Sequence, residues 1–376
     1  MIGEGAQRTV LSLGLMSGTS LDGVDAALLR TDGETAGSAG ESLTVPYTDS
    51  LRRAIRAILG GHGPVEEVER DLTLFHAEVA ETLLARAGRP EVAVIGFHGH
   101  TILHQPDKRR TWQIGDGALL AAKLGIPVVN DFRSADVAAG GHGAPLMPAF
   151  HAALASGAER PLAVLNIGGV ANVTWIGSDG SMLAFDTGPG NALVDDWISH
   201  HTGELYDRDG AMAAKGCADM AAVDRFLAHP FFARRPPKSL DRDDFRIWAD
   251  SLMAGKSIAD GAATLAAFTI AAVASARQWL PEAPGTWLVC GGGRHNATLM
   301  TGLRRSLHTN VEAVEARGWD GDALEAQGFA YLAVRSLLNL PLSWPGTTGA
   351  PEPMKGGRVH HPSPPHPDPL PQGERE

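Results

Sequence analysis

The sequence predicts an α/β protein of two domains. Three observations support this: the chain length, the alternation of apolar strand-like runs with helical segments, and a strand, glycine turn, strand unit that occurs twice. At 376 residues the chain exceeds what one hydrophobic core ordinarily organises. Its hydrophobic content of 44% and charged content of 20% are those of a packed globular protein.

The elements follow in order. Residues 10–15 form a short apolar run, 16–23 are turn-forming, and 24–29 are apolar again, which reads as strand, polar glycine loop, strand. Across residues 66–87, Val68, Leu72, Phe75, Val79 and Leu83 recur at helical spacing and the run stops at Gly88, so an amphipathic helix is predicted, followed by a buried strand at 92–97. The second half opens in the same way, with an apolar run at 162–167, a turn at Gly168-Gly169, and a returning strand at 173–176. A third strand, 182–185, runs into Asp186-Thr187-Gly188-Pro189-Gly190-Asn191, after which 192–202 reads as a helix. Residues 286–290 form a strand feeding Gly291-Gly292-Gly293-Arg294-His295-Asn296 and a helix to about Ser306. From about 346 the composition turns to proline, glycine, histidine and charge, and a disordered tail without catalytic role is predicted over 359–376.

The net charge of -11, with no Lys/Arg cluster, argues against a nucleic-acid or anionic-membrane partner. Cys217 and Cys290 stand far apart, without disulfide or zinc spacing, which suits a reducing cytoplasm. Residues 1–8 lack the charged start and apolar core of a signal peptide, and the longest alanine-rich stretch, 261–276, is short for a membrane span.

Glycine-rich turns at 17–23, 186–191 and 291–296 each follow a buried strand, where backbone N–H groups can face an anion at close range. One such turn would merely connect strands; three together point to phosphate binding. Ser17, Thr19, Ser20 and Asp22 can donate to phosphoryl oxygens or hold Mg²⁺ through its waters, although a side-chain-stabilised turn would use the same residues. Asp186 reads either as a helix cap or as a partly desolvated general base, and its place at a strand end beside a glycine turn favours the base. His98, His100, Asp131 and Arg133 follow apolar strands where a substrate cleft would form; hydrogen bonding to a polar substrate is preferred to metal ligation, with turn stabilisation the close competitor. The chain has no P-loop, no complete dinucleotide fingerprint, no His-Glu-x-x-His and no Gly-x-Ser-x-Gly elbow.

The ordered set Gly14-Leu-Met-Ser-Gly-Thr-Ser-Leu-Asp-Gly-Val-Asp25, Gly96-Phe-His-Gly-His-Thr-Ile-Leu-His-Gln-Pro106, Asn130-Asp-Phe-Arg-Ser-Ala-Asp136, Phe185-Asp-Thr-Gly-Pro-Gly-Asn191 and Cys290-Gly-Gly-Gly-Arg-His-Asn296 resembles the anhydro-N-acetylmuramic acid kinases. The likeness runs from about Val10 to Pro345. It implies two ribonuclease-H-like domains of the actin/hexokinase/Hsp70 type facing a central cleft: residues 1–135 with a return of about 340–358, and residues 136–339. It further implies an ATP- and Mg²⁺-dependent kinase that opens the 1,6-anhydro sugar with water and phosphorylates its 6-oxygen. Asp186 would be the base. Ser17, Gly18, Thr19, Ser20, Leu21, Asp22, Gly23, Val24, Gly168, Gly169, Gly292, Gly293 and Asn296 would bind nucleotide, Asp22 through Mg²⁺-bound water. His98, His100, Asp131, Arg133 and Glu325 would face the sugar, with domain closure hinged near 131–143 and before Glu325. A homodimer is also implied.

Overall fold

The computed structural model describes residues 9–18, 21–242 and 244–362. In the first half, β1 (Val10–Met16), β2 (Gly23–Thr31) and β3 (Ser38–Pro46) form an antiparallel meander. β4 (Val94–Phe97) joins β1 in parallel, a separate hairpin follows as β5 (His100–Gln105) and β6 (Arg110–Ile114), and β7 (Val128–Asn130) lies parallel beyond β4. The second half repeats the scheme: β8 (Leu162–Ile167), β9 (Val170–Ile176) and β10 (Met182–Pro189) form the meander, and β11 (Thr286–Cys290) and β12 (Asn310–Ala313) continue in parallel. The strand orders, β7-β4-β1-β2-β3 and β10-β9-β8-β11-β12, are the same arrangement twice. This is the ribonuclease-H-like order in each half, with opening strands whose apolar runs bury both sheet faces.

Two differences from expectation stand out. The chain returns to the first sheet as β13 (Arg358–His360), antiparallel to β7, and the His360 ring meets Asn130 Oδ1 at 2.9 Å. Val359 and His360 are therefore sheet rather than tail, because a main-chain edge needs no apolar side chains to pair; residues 363–376 lie outside the described residues. β10 also runs four residues past the strand predicted at 182–185, through a bulge between Asp186 and Gly188, because β9 extends upstream to pair with it.

The helices Val65–Arg86 and Gly117–Leu124 cover one face of the first sheet. The opposite face is covered by Leu324–Leu337, which lies on β1, β2 and β4 although the sequence division grouped it with the second half. Two glycines allow it to sit there. Gly14 and Gly96 are register partners on adjacent strands, and a Cβ on them would stand 1.7 Å from Ala326 O and 2.0 Å from Phe329 O. Beside them, Ser12 Oγ donates to Ala330 O at 2.9 Å. The helix backbone thus rests directly on the sheet.

The second half packs around Ile258–Ala276, whose Phe268 stacks on Phe226 with ring centroids 4.1 Å apart. With the short turn after it, this helix is long and apolar enough to cross a membrane, but most of it is buried within the second core. A third cluster, around Phe150, Phe329 and Tyr331, joins side chains of β2 and β4 to Leu162, Val164 and Leu288 of the second sheet. The halves therefore share a core.

Candidate active site

The first glycine loop bridges β1 and β2, and its side chains divide between core and surface. Ser17 is buried, 2.8 Å from His100 Nδ1 and hydrogen-bonded to the Tyr47 hydroxyl, so its oxygen braces β5 instead of reaching toward a phosphate. Leu21 adopts φ 60 and buries its side chain, its N–H donating to Gly18 O at 3.1 Å. Gly23 and Val24 begin β2: a Cβ at Gly23 would meet Val45 O at 2.2 Å, and Val24 is core. The expected loop thus ends at Asp22, because Gly23 and Val24 already belong to a paired strand. Asp22 is exposed, and Thr19 and Ser20 lie outside the described residues.

Across from this loop stands Asp195, on the helix Ala192–Thr202. Burial first, then the neighbouring Asp196, push its carboxyl up to about 7, with Asp207 and Asp22 adding to the effect. Asp195 carries a perturbed carboxyl that the sequence reading does not single out.

The second and third glycine turns converge over the end of β8. Gly190 N–H donates to Gly169 O at 2.9 Å and Asn191 N–H to Gly168 O at 2.7 Å, while Asn191 Nδ2 donates to Ile167 O at 3.2 Å. A Cβ on Gly168, Gly169 or Gly292 would meet nothing closer than 3.7 Å, so no packing demands glycine there and the space above them suits an approaching ligand. Gly293 differs: its Cβ would fall 2.4 Å from Ile167 Cγ2, and glycine is needed for packing. The Asn296 side-chain oxygen caps the helix Ala297–Leu307, accepting from Leu299 N–H at 3.0 Å, so it is committed to structure.

Asp186 sits at the β10 bulge. Its N–H donates to Lys238 O at 3.0 Å, and its Oδ2 accepts from Leu240 N–H at 2.7 Å. Burial raises its carboxyl to about 7; the Leu240 bond and Lys238 charge oppose the rise, and Asp241 and Asp244 add to it. It caps no helix, since Ala192–Thr202 begins beyond it without a side-chain cap.

On the first half, His98 Nε2 accepts from Arg133 Nε at 3.2 Å and lies 3.0 Å from its Nη2, while Arg133 Nη1 donates to Gly143 O at 2.8 Å. Burial and the guanidinium hold His98 well below the usual histidine range, so it is a neutral acceptor. His100 is likewise held near 4 by burial, and its Nε2 has no partner among the described residues. Glu325 opens Leu324–Leu337 and accepts from Asn166 Nδ2 at 3.1 Å, joining the first-sheet helix to β8. Burial raises its carboxyl, and the Arg133 charge opposes that. The Arg133 guanidinium and the Glu325 carboxyl thus act on one another electrostatically. Asp131 is not with them: it is exposed, at φ 54, with its carboxylate 3.4 Å from Ser134 N as a turn brace. Among the described residues no group of three His, Cys, Asp or Glu is placed to hold a metal.

Asp136, in the 130–136 segment, has a structural role that its sequence neighbourhood does not announce. It is buried and accepts from Gly143 N–H at 2.6 Å and Thr348 Oγ1 at 2.6 Å, and from Ser343 Oγ. It ties the crossing loop to the returning chain.

One strand order is used twice, in a two-lobed α/β fold with glycine turns left open above β8. Residues 10–362 match the family model described as anhydro-N-acetylmuramic acid kinase. The chain is 63% identical over 355 residues to the anhydro-N-acetylmuramic acid kinase of Paramagnetospirillum magneticum, covering 94% of this chain and 100% of that one. It is 57% identical over 354 residues to the protein of that name from Rhodospirillum rubrum, covering 93% of each. It belongs to the anhydro-N-acetylmuramic acid kinase family.

Proposed function

We propose that this kinase couples hydrolysis of the 1,6-anhydro bond of anhydro-N-acetylmuramic acid to phosphoryl transfer from ATP, giving N-acetylmuramic acid 6-phosphate in the recycling of cell-wall sugar. The observation that carries the assignment is Asp186, a carboxylate at a strand bulge beside a glycine turn whose Oδ2 is held by Leu240 N–H and whose proton affinity burial raises, which suits removing a proton from water. Water oxygen bonds to the anomeric carbon as its proton passes to Asp186. The bond from that carbon to the 6-oxygen breaks, its electron pair goes to that oxygen, and the oxygen attacks the γ-phosphorus as ADP leaves. Leu240 N–H fixes Oδ2 and so orients the carboxylate. Arg133 and Glu325 would hold the sugar from the first half, with His98 keeping the guanidinium in place. Gly168, Gly169 and Gly292 would receive the nucleotide.

Asp22 and Asp195, one from each half, suit a hydrated Mg²⁺ arriving with the triphosphate rather than a cation held in a protein cage. Such an ion would neutralise phosphate charge. The test is phosphorus NMR with ATP, Mg²⁺ and the anhydro sugar, beside N-acetylmuramic acid and N-acetylglucosamine. A sugar 6-phosphate formed from the anhydro substrate alone is expected. Transfer to the open sugars refutes the coupled ring opening, and no transfer refutes the activity.

A further inference from the structure

The group that holds Asp186 lies behind it, not in front. Lys238 is buried, and its ammonium sits among three aromatic rings: 4.4 Å from the centroid of Phe231, 5.7 Å from that of Trp279 and 5.8 Å from that of Phe185. It also donates to Phe231 O at 3.2 Å. Phe185 is the residue before Asp186, so the cage wall and the carboxylate share a strand. The main chain beside the caged ammonium makes the hydrogen bonds already described: Lys238 O receives Asp186 N–H, and Leu240 N–H reaches Asp186 Oδ2. Between them, Ser239 Oγ stands 3.3 Å from His142 Nδ1 on the crossing loop.

We propose that Lys238 is the positioning residue of the catalytic carboxylate: its ammonium, anchored in the ring cage, pins residues 238–240 against β10 and places a buried positive charge behind Asp186. The inference rests on the general-base reading of Asp186. A lysine in so apolar a place is costly unless its charge is used. Its attraction to Asp186 runs both ways, lowering the carboxyl and raising the ammonium, while burial and Arg234 bring the ammonium down, to about 8 with all three acting. Asp241 and Asp244 face the same carboxyl and oppose Lys238, while Leu240 N–H acts with it. Without the ammonium the carboxyl would ionise later and the strap would lose its anchor.

Lys238→Met keeps the length and fills the cage without the charge. In that variant the acid limb of kcat/KM should move up by about one pH unit, with kcat at pH 7 down about fivefold and ATP affinity within about twofold. Lys238→Arg should bring the limb back. A structural role alone would lower the folded fraction and leave the limb in place. A folded Lys238→Met enzyme with the native limb and rate overturns the inference. If that variant does not fold, ¹⁵N titration of the side chains in the native enzyme decides, since the chain has only six lysines. The Lys238 signal should step where Asp186 ionises and lose that step in Asp186→Asn; identical titration in both overturns it. An active Asp186→Asn enzyme removes the general-base reading and this inference together. An inactive one beside an unshifted Lys238→Met limb removes the inference alone.

Discussion

Gly14→Ala tests whether the position of Glu325 depends on direct backbone contact between helix and sheet. The added Cβ would stand 1.7 Å from Ala326 O and 2.7 Å from Ala330 N, whereas real Cβ contacts do not fall below 3.0 Å. Both neighbours are main chain, so no rotamer change relieves the overlap, and the helix must retreat by more than an ångström. Overpacking a core ordinarily costs about 1–3 kcal/mol, and a rigid clash belongs at the upper end, about 3 kcal/mol. Glu325 immediately precedes the displaced carbonyl and holds Asn166 at 3.1 Å, so the same movement takes it off β8. Misplacement on this scale should weaken sugar binding and lower kcat/KM by about a hundredfold. Urea unfolding followed by tryptophan fluorescence gives the stability loss, calorimetric titration with the anhydro sugar gives the affinity, and steady-state kinetics give kcat/KM. Gly157→Ala is the control, because a Cβ there meets nothing within 4 Å. A Gly14→Ala protein within about 0.5 kcal/mol of the native chain, with native sugar affinity, would refute the reasoning.

Three further outcomes are expected. Asp186→Asn should lose turnover and keep ATP binding. Because the folded carboxyl is raised from 3.8 to about 7, the folded protein holds the extra proton between those values, and the stability this group contributes falls as pH rises through that window; the variant should therefore melt higher than the native enzyme at pH 8, with the gap closing toward pH 4. Asp136→Asn replaces an acceptor of three hydrogen bonds with a group that must turn an NH₂ toward hydroxyl donors, so it should lose about 2–4 kcal/mol in urea unfolding and raise the sugar KM more than the ATP KM. Thiol labelling should modify exposed Cys217 alone in the native protein and reach Cys290 only on unfolding, because burial keeps the Cys290 thiol protonated.

The sequence shows clearly whatever is local. The helix at 192–202 and the strands at 162–167 and 286–290 were legible to the residue, since apolar periodicity and glycine stops determine them. The doubled strand, glycine turn, strand unit announced the doubled sheet. What was not legible depends on partners remote along the chain. Ser17 looked like a phosphate ligand until His100, 83 residues away, claimed its oxygen. β10 looked shorter than it is because Asp186-Thr187-Gly188-Pro189 reads as a turn, yet it pairs with Asn172, Ala171 and Val170 of β9. The resemblance places Asn296 at the nucleotide, yet the helix predicted directly after it needs a cap, and the Asn296 side chain provides it. Lys238 was one of six scattered lysines, and only folding brings three rings around it.

The shared core constrains how the two halves can work together. If each sheet had its own closed core, the lobes would move freely and the site would form only when ligands drew them in. Here Phe150, Phe329 and Tyr331 pack between the sheets, and Leu324–Leu337 carries Glu325 from the first sheet to Asn166 of the second. Asp136 ties the crossing loop to Ser343 and Thr348, and His142 reaches Ser239 beside the strap that holds Asp186. Sugar-facing Arg133 bonds Gly143 in that same loop. The groups proposed to hold the sugar and the group proposed to activate water are thus linked through one braced crossing. Any closing motion must carry that crossing with it, and its stiffness would keep base and substrate in register while the nucleotide side moves.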